Sequence, residues 1–208
     1  MTEPTLLFAH GAGSRPDHPW MRVWAERLGA FGAVRTFPYD YIEAGRRRPD
    51  PLPRLIDRHR AELAVVRASG GPIVLVGKSM GGRVGCHVSA LEPDVRAVIC
   101  FGYPLLSSTG VVRDAALQAV PTPLLLVQGT RDPLAPVDRL LDVVAGCPRP
   151  PRVHLVDGAD HDLRVGSRAL AASGRTAEDV VGDVLRAVLA FLREAGVDVA
   201  GAATTSPT

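Results

Sequence analysis

The sequence lacks several features that would announce a class. It holds three cysteines, Cys86, Cys100 and Cys147, and no CxxC pair. An odd, widely spaced set supplies neither a disulfide framework nor a zinc-ligand spacing. Cys86 and Cys100 lie inside apolar runs, as buried free thiols do. No window approaches 18 consecutive apolar residues, so no membrane span is expected. The opening MTEPTLLFAHG has no basic region and no long apolar stretch, so no secretory signal is expected either. Net charge is small: 24 basic against 22 acidic side chains leaves +2, without the footprint of a nucleic-acid-binding protein. Lysine is almost missing. All basic residues but Lys78 are arginine, as a high-GC coding bias would produce. The expectation is a monomer or homodimer of a reducing cytoplasm, with no nucleic-acid or membrane partner.

What is present is globular. The 208 residues fit one domain and are too few for two of ordinary size. With 46% hydrophobic and 22% charged residues, wholesale disorder is excluded. Short apolar runs bounded by turn residues recur at 5–9, 34–37, 73–76, 95–101, 124–128 and 153–156. Most do not alternate, which suits strands covered on both faces. Helical patterns lie between them at 19–30, 52–68, 80–91, 137–145 and 177–195. The last has an apolar stripe from Val180 to Leu192, and Thr176, Glu178 and Asp179 at its start. The alternation predicts an α/β domain over residues 1–195, with about six mostly parallel strands and helices on both faces. Residues 196–208 are small and mostly polar, and a flexible tail is expected there.

In such a sheet, ligands bind beyond the carboxyl ends of the strands. The loops there carry the chemistry. Gly77-Lys78-Ser79-Met80-Gly81 is G-x-S-x-G between a strand and a helix. A serine on that sharp turn is exposed, glycines on either side relieve collisions, and the helix start faces developing negative charge. The same GKS could end a phosphate-binding loop. However, the first glycine of that motif is replaced by Pro72, and residues 73–76 are a strand rather than a cradle.

A serine nucleophile needs a base and an orienting acid, here in the chain order Ser, Asp, His. His154 and His161 follow at suitable distance. His154 sits within a strand, whereas His161 lies in the loop after it and can turn toward Ser79. Asp132, in GTRDP after the fifth strand, is the matching acid; a turn acid or helix cap is its bland alternative. Asp157, Asp160 and Asp162 read as turn-capping acids rather than a cation site, and no metal or cofactor is expected. Two amides must receive an oxyanion. Met80 supplies one, and Gly11 or Ala12, in an HGAG loop like the HGGG loop of esterases, supplies the other.

In this order, HGAG, GKSMGGR, GTRDP and GADHDL resemble the α/β-hydrolase superfamily, and within it the small dienelactone-hydrolase-like branch. The similarity spans about residues 5–195. It implies an α/β-hydrolase fold with strand order 2-1-3-4-5-6, Ser79 as nucleophile, His161 as base and Asp132 as orienting acid. Two departures stand out. The typical dienelactone hydrolase has cysteine where Ser79 stands, and the superfamily's first two antiparallel strands and large lid have no counterpart.

Around the site, Lys78 either binds an anionic substrate group, braces a loop, or packs its stem with the ammonium in water. Arg47, flanked by Arg46 and Arg48, either attracts an anion or is solvated. Tyr103 and Leu105 are either acyl-pocket walls or ordinary loop packing. Trp20 and Trp24 share a helix face and suit the core better than a pocket. Residues 164–175 offer a partial flap over His161. The leading reading is a serine hydrolase of a small ester or thioester; the alternative is a catalytically idle binding or scaffold protein on the same fold.

Overall fold

The computed structural model describes residues 2–199. Six strands form one sheet: β1 (Thr5–Ala9), β2 (Ala33–Phe37), β3 (Ile73–Lys78), β4 (Val95–Phe101), β5 (Leu124–Gly129) and β6 (Arg152–Val156). Every neighbouring pair is parallel, and the spatial order is β2-β1-β3-β4-β5-β6, as expected. The central runs are apolar throughout because alternate residues serve two cores. Leu7, Leu75, Val98, Cys100 and Leu126 face one side. There they meet α3 (Leu52–Arg67), α4 (Met80–Ser89) and α6 (Val137–Ala145) through Leu63, Val84 and Leu140. Leu6, Phe8, Val76, Ile99, Phe101 and Val127 face the other. They meet α1 (Pro19–Leu28) through Trp20 and Trp24, and α8 (Ala177–Glu194) through Val184, Val188 and Phe191. The edge strands β2 and β6 are only partly covered, which matches their polar Arg35, Thr36, Arg152 and His154.

Local chemistry sets the helix ends. Pro19 opens α1 at a position that needs no amide hydrogen. Thr176 and Asp179 form a reciprocal capping box on α8. Three short helices, α2 (Asp40–Glu43), α5 (Ala115–Gln118) and α7 (Ser167–Ser173), were not foreseen, because one or two turns are too short to display an apolar period. The first residues after α8 continue the packing. Val197 and Val199 are buried against the α1–α8 core, so two valines outweigh the small residues around them. Residues 200–208 lie outside the described residues.

The fold places the site through its connections. The chain runs from β1 outward to β2 and then crosses back to β3. The loops leaving β1 and β3 therefore diverge from neighbouring strand ends, where Ala9 is level with Gly77. Among the described residues, no helix is long and apolar enough to cross a membrane.

Candidate active site

Ser79 follows β3 directly and has φ +51 and ψ −115, a conformation that L side chains rarely adopt. The turn is tight enough to dictate its flanking residues. A Cβ on Gly77 would lie 2.1 Å from the Gly82 nitrogen, and one on Gly81 would lie 2.4 Å from the Ala9 carbonyl oxygen. The strain holds the hydroxyl up at the mouth of the switch point. Helix α4 starts at Met80, so its first N–H groups have no carbonyl partner within the helix. Gly11 stands directly opposite, where a Cβ would touch that of Ser79 at 3.5 Å.

His161 comes from the loop after β6 and Asp132 from the turn after β5. His161 Nε2 is 2.9 Å from Ser79 Oγ, and His161 Nδ1 is 2.6 Å from Asp132 Oδ2. An ionised carboxylate can only accept, so Nδ1 donates to Asp132 and Nε2 is left to accept from the serine hydroxyl. The aspartate is buried and fully engaged. Gln128 Nε2 donates to Oδ2 at 2.5 Å, and the Leu134 amide donates to Oδ1 at 2.8 Å. His154 stays within β6, half-buried, and takes no part.

Two supporting residues escaped the sequence reading. Gln128, fully buried at the end of β5, also accepts the Tyr103 amide at 2.8 Å, so it ties the acid's turn to the loop after β4. The available signal was an amide side chain closing an otherwise apolar strand. His10 is the second. Its Nδ1 donates to the Gly11 carbonyl at 2.8 Å, and its Nε2 accepts the Tyr39 amide at 3.3 Å. Burial pushes its pKa down, which keeps the ring neutral and able to fill both roles. It thereby shapes the loop holding Gly11 and Ala12.

Ser79 opens into a cleft of about 250 Å³ lined by Gly11, Ala12, Ser14, His18, Trp20 and Lys78, with His161 and Asp162. Several expected neighbours are elsewhere. Tyr103 and Leu105 are fully buried in the core on the α4 side and do not line this cleft. The loop after β4 folds inward, and the Tyr103 hydroxyl donates to the Arg113 carbonyl at 2.7 Å. Arg47 is exposed on the 46–51 loop and is also absent from the lining. There Arg46 turns to Asp50 at 2.7 Å. Residues 164–175 contribute nothing to the lining either, since Leu163, Val165 and Leu170 pack toward α1 and α8. Trp20 is both core and wall. Lys78 lines the cleft, but its ammonium is not free for a substrate. It donates to the His161 carbonyl, pairs with Asp162 Oδ1 at 3.2 Å and lies 5.4 Å from the centre of the Trp20 ring. Burial pushes its pKa down, against the pull of Asp162.

The three acids of the last loop each have other work. Asp157 accepts from the Thr130 hydroxyl, Asp160 accepts the amides of Asp162 and Arg164, and Asp162 pairs with Lys78.

Serine, aspartate and histidine on the loops that follow β3, β5 and β6 of a parallel sheet, with strain at the serine, define an α/β-hydrolase arrangement. The chain belongs to this family: the model of an alpha/beta hydrolase domain matches residues 2–193. Solved structures share the fold at low identity. A protein of unknown function from Agrobacterium tumefaciens, described as an alpha/beta hydrolase, is 16% identical, with TM-score 0.71 over 96% of this chain and 89% of its own. A serine hydrolase without a lid from Xanthomonas campestris is 17% identical, with TM-score 0.69 over 93% and 83%. A serine hydrolase homologue from Coxiella burnetii is 21% identical, with TM-score 0.65 over 76% of each chain.

Proposed function

We propose that the protein is a serine hydrolase of small esters or thioesters, working through an acyl-enzyme on Ser79. The observation that carries this reading is the continuous line from Ser79 Oγ through His161 to the buried Asp132, at 2.9 and 2.6 Å. Ser79 Oγ attacks the carbonyl carbon while His161 Nε2 takes its proton. The amides of Met80 and Ala12 receive the tetrahedral oxyanion, in the region where Gly11 approaches Ser79. Collapse expels the alcohol or thiol, which regains a proton from His161. A water then gives its proton to His161, attacks the acyl carbon and releases the acid, restoring Ser79. Every proton moves through one imidazole, so the cycle closes without a cofactor.

The size of the cleft supports a small acyl group, because about 250 Å³ lies below the usual range of roughly 300–1,000 Å³ for drug-sized ligands. The motif series from HGAG to GADHDL supports the dienelactone-hydrolase-like branch, with serine in the place of its cysteine. Three buried free thiols support a reducing, cytoplasmic setting. The test is turnover of p-nitrophenyl acetate by the wild type and by Ser79→Ala. Turnover lost in the folded variant supports the reading. Turnover retained overturns the mechanism, and a folded wild type with no turnover of any short ester or thioester favours a scaffold.

A further inference from the structure

We propose that Lys78 is a positioning residue, which with Trp20 clamps the loop carrying His161 so that the imidazole stays on Ser79. This rests on the serine-hydrolase reading and adds to it a part that the triad alone lacks. The loop's internal shape is already set, since Asp160 Oδ1 accepts the amides of Asp162 and Arg164 at 2.9 Å each. Asp132 holds only the imidazole ring, at Nδ1. The start of the loop is tied to the turn after β5, where the Arg131 amide donates to the Ala159 carbonyl at 2.9 Å and the Gly158 amide donates to Thr130 Oγ1 at 2.8 Å. At His161 and Asp162 themselves the backbone is held by a pair of adjacent carbonyls. Lys78 Nζ donates to that of His161, and Trp20 Nε1 donates to that of Asp162 at 2.8 Å. One donor stands at the end of β3 and the other on α1, so this part of the loop is held from two further elements.

The surroundings fit this purpose. A buried ammonium is costly, and an apolar side chain in its place would often be as good for stability alone. Here the charge is met on three sides, by a carbonyl, a carboxylate and an indole face. Room for the contact is made at Gly102, which has φ +64. A Cβ there would sit 2.7 Å from the His161 carbonyl oxygen and 3.1 Å from Lys78 Nζ. Lys78 also precedes Ser79 in the chain. The clamp therefore references the base to the backbone that carries the nucleophile. A misplacement of about 1 Å between reacting groups can cost on the order of 10²-fold in rate.

The experiment compares wild type, Lys78→Met, Lys78→Arg and Trp20→Phe by steady-state kinetics and by hydrogen exchange resolved along the chain. Lys78→Met keeps length and loses the donor. It should lower kcat by about 10- to 100-fold with KM changed less than about threefold. Exchange should quicken in residues 158–166 while α3 keeps its protection. Lys78→Arg should recover part of kcat. Trp20→Phe, which keeps a ring and loses Nε1, should quicken the same segment to a smaller degree. Wild-type kcat together with unchanged exchange at 158–166 in Lys78→Met overturns the clamp. So does a rise in KM alone, which would make Lys78 a substrate-binding residue, or exchange that quickens uniformly, which would make it merely structural. If Lys78→Met does not fold, Trp20→Phe and Asp162→Asn decide by the same two readouts. Hydrogen exchange needs no turnover. A wild type that hydrolyses nothing sinks the hydrolase reading while the exchange data still judge the clamp.

Discussion

Lys78 and the Arg46–Arg48 cluster are two cationic groups at the carboxyl edge of one sheet, and they behave in opposite ways. Lys78 is 6% exposed and engaged on three sides, next to Ser79. The arginines are exposed, and Arg46 is satisfied by Asp50. Adjacency to the right sheet edge therefore does not make a charge functional. A buried ammonium differs, because a charge taken out of water must be compensated at fixed points, and those points become geometry. The same contrast separates Asp132, buried with donors on both oxygens, from the partly exposed Asp162.

The largest losses should come from residues engaged at the site. Ser79→Ala should lower kcat by roughly 10⁴- to 10⁶-fold with the melting temperature nearly unchanged, read by ester hydrolysis and circular dichroism. Asp132→Asn should cost about 10³- to 10⁴-fold, since the amide can no longer hold the Nδ1–H tautomer of His161; loss of less than tenfold would place the orienting acid elsewhere. Gln128→Leu should cost about 1–3 kcal/mol of stability in urea denaturation, because the buried Tyr103 amide and one Asp132 bond lose their partner. It should also lower kcat more than it raises KM.

Much of this was legible in residues. The apolar runs at 5–9 and 95–101 became strands with the expected bounds, because each buries both faces and nothing tertiary competes. The strand-end loops holding Ser79, Asp132 and His161 converge because parallel strands bring all their carboxyl ends to one edge. What stayed hidden depends on contacts remote in sequence. Lys78 meets His161 across 83 positions, and Gln128 meets Tyr103 across 25. Tyr103 and Leu105 leave β4 at the correct edge, yet the loop turns them into the core, and no local pattern reports the sense of that turn. Arg47 misleads for a related reason, because the 46–51 loop beyond edge strand β2 meets water rather than the cleft.

Buried imidazoles extend the contrast to pH. His59 is fully buried, and desolvation lowers its pKa from 6.5 to about 3. The unfolded chain binds this proton more readily than the folded one. The stabilisation is therefore complete above pH 6.5 and is lost as pH falls toward 3, with a slope of up to about 1.4 kcal/mol per unit. Burial likewise lowers the pKa of His10, His87 and His154, and these act in the same direction. Denaturant midpoints measured from pH 7 to 5 should fall, and His59→Asn should flatten the decline. On the solvated side the expected effect is smallest. Arg47→Gln should change stability by less than about 0.5 kcal/mol and kcat/KM by less than about twofold, for neutral and anionic esters alike. A selective loss on anionic esters would restore the cluster to the substrate path.

The role of Ser79 as nucleophile, activated by His161, is the step on which the proposed function depends. Its most direct test is a fluorophosphonate label read by peptide mass spectrometry. One adduct is expected, on the peptide containing Ser79, absent in Ser79→Ala and formed far more slowly in His161→Ala. An adduct on any other residue, or a labelling rate indifferent to His161, would contradict it.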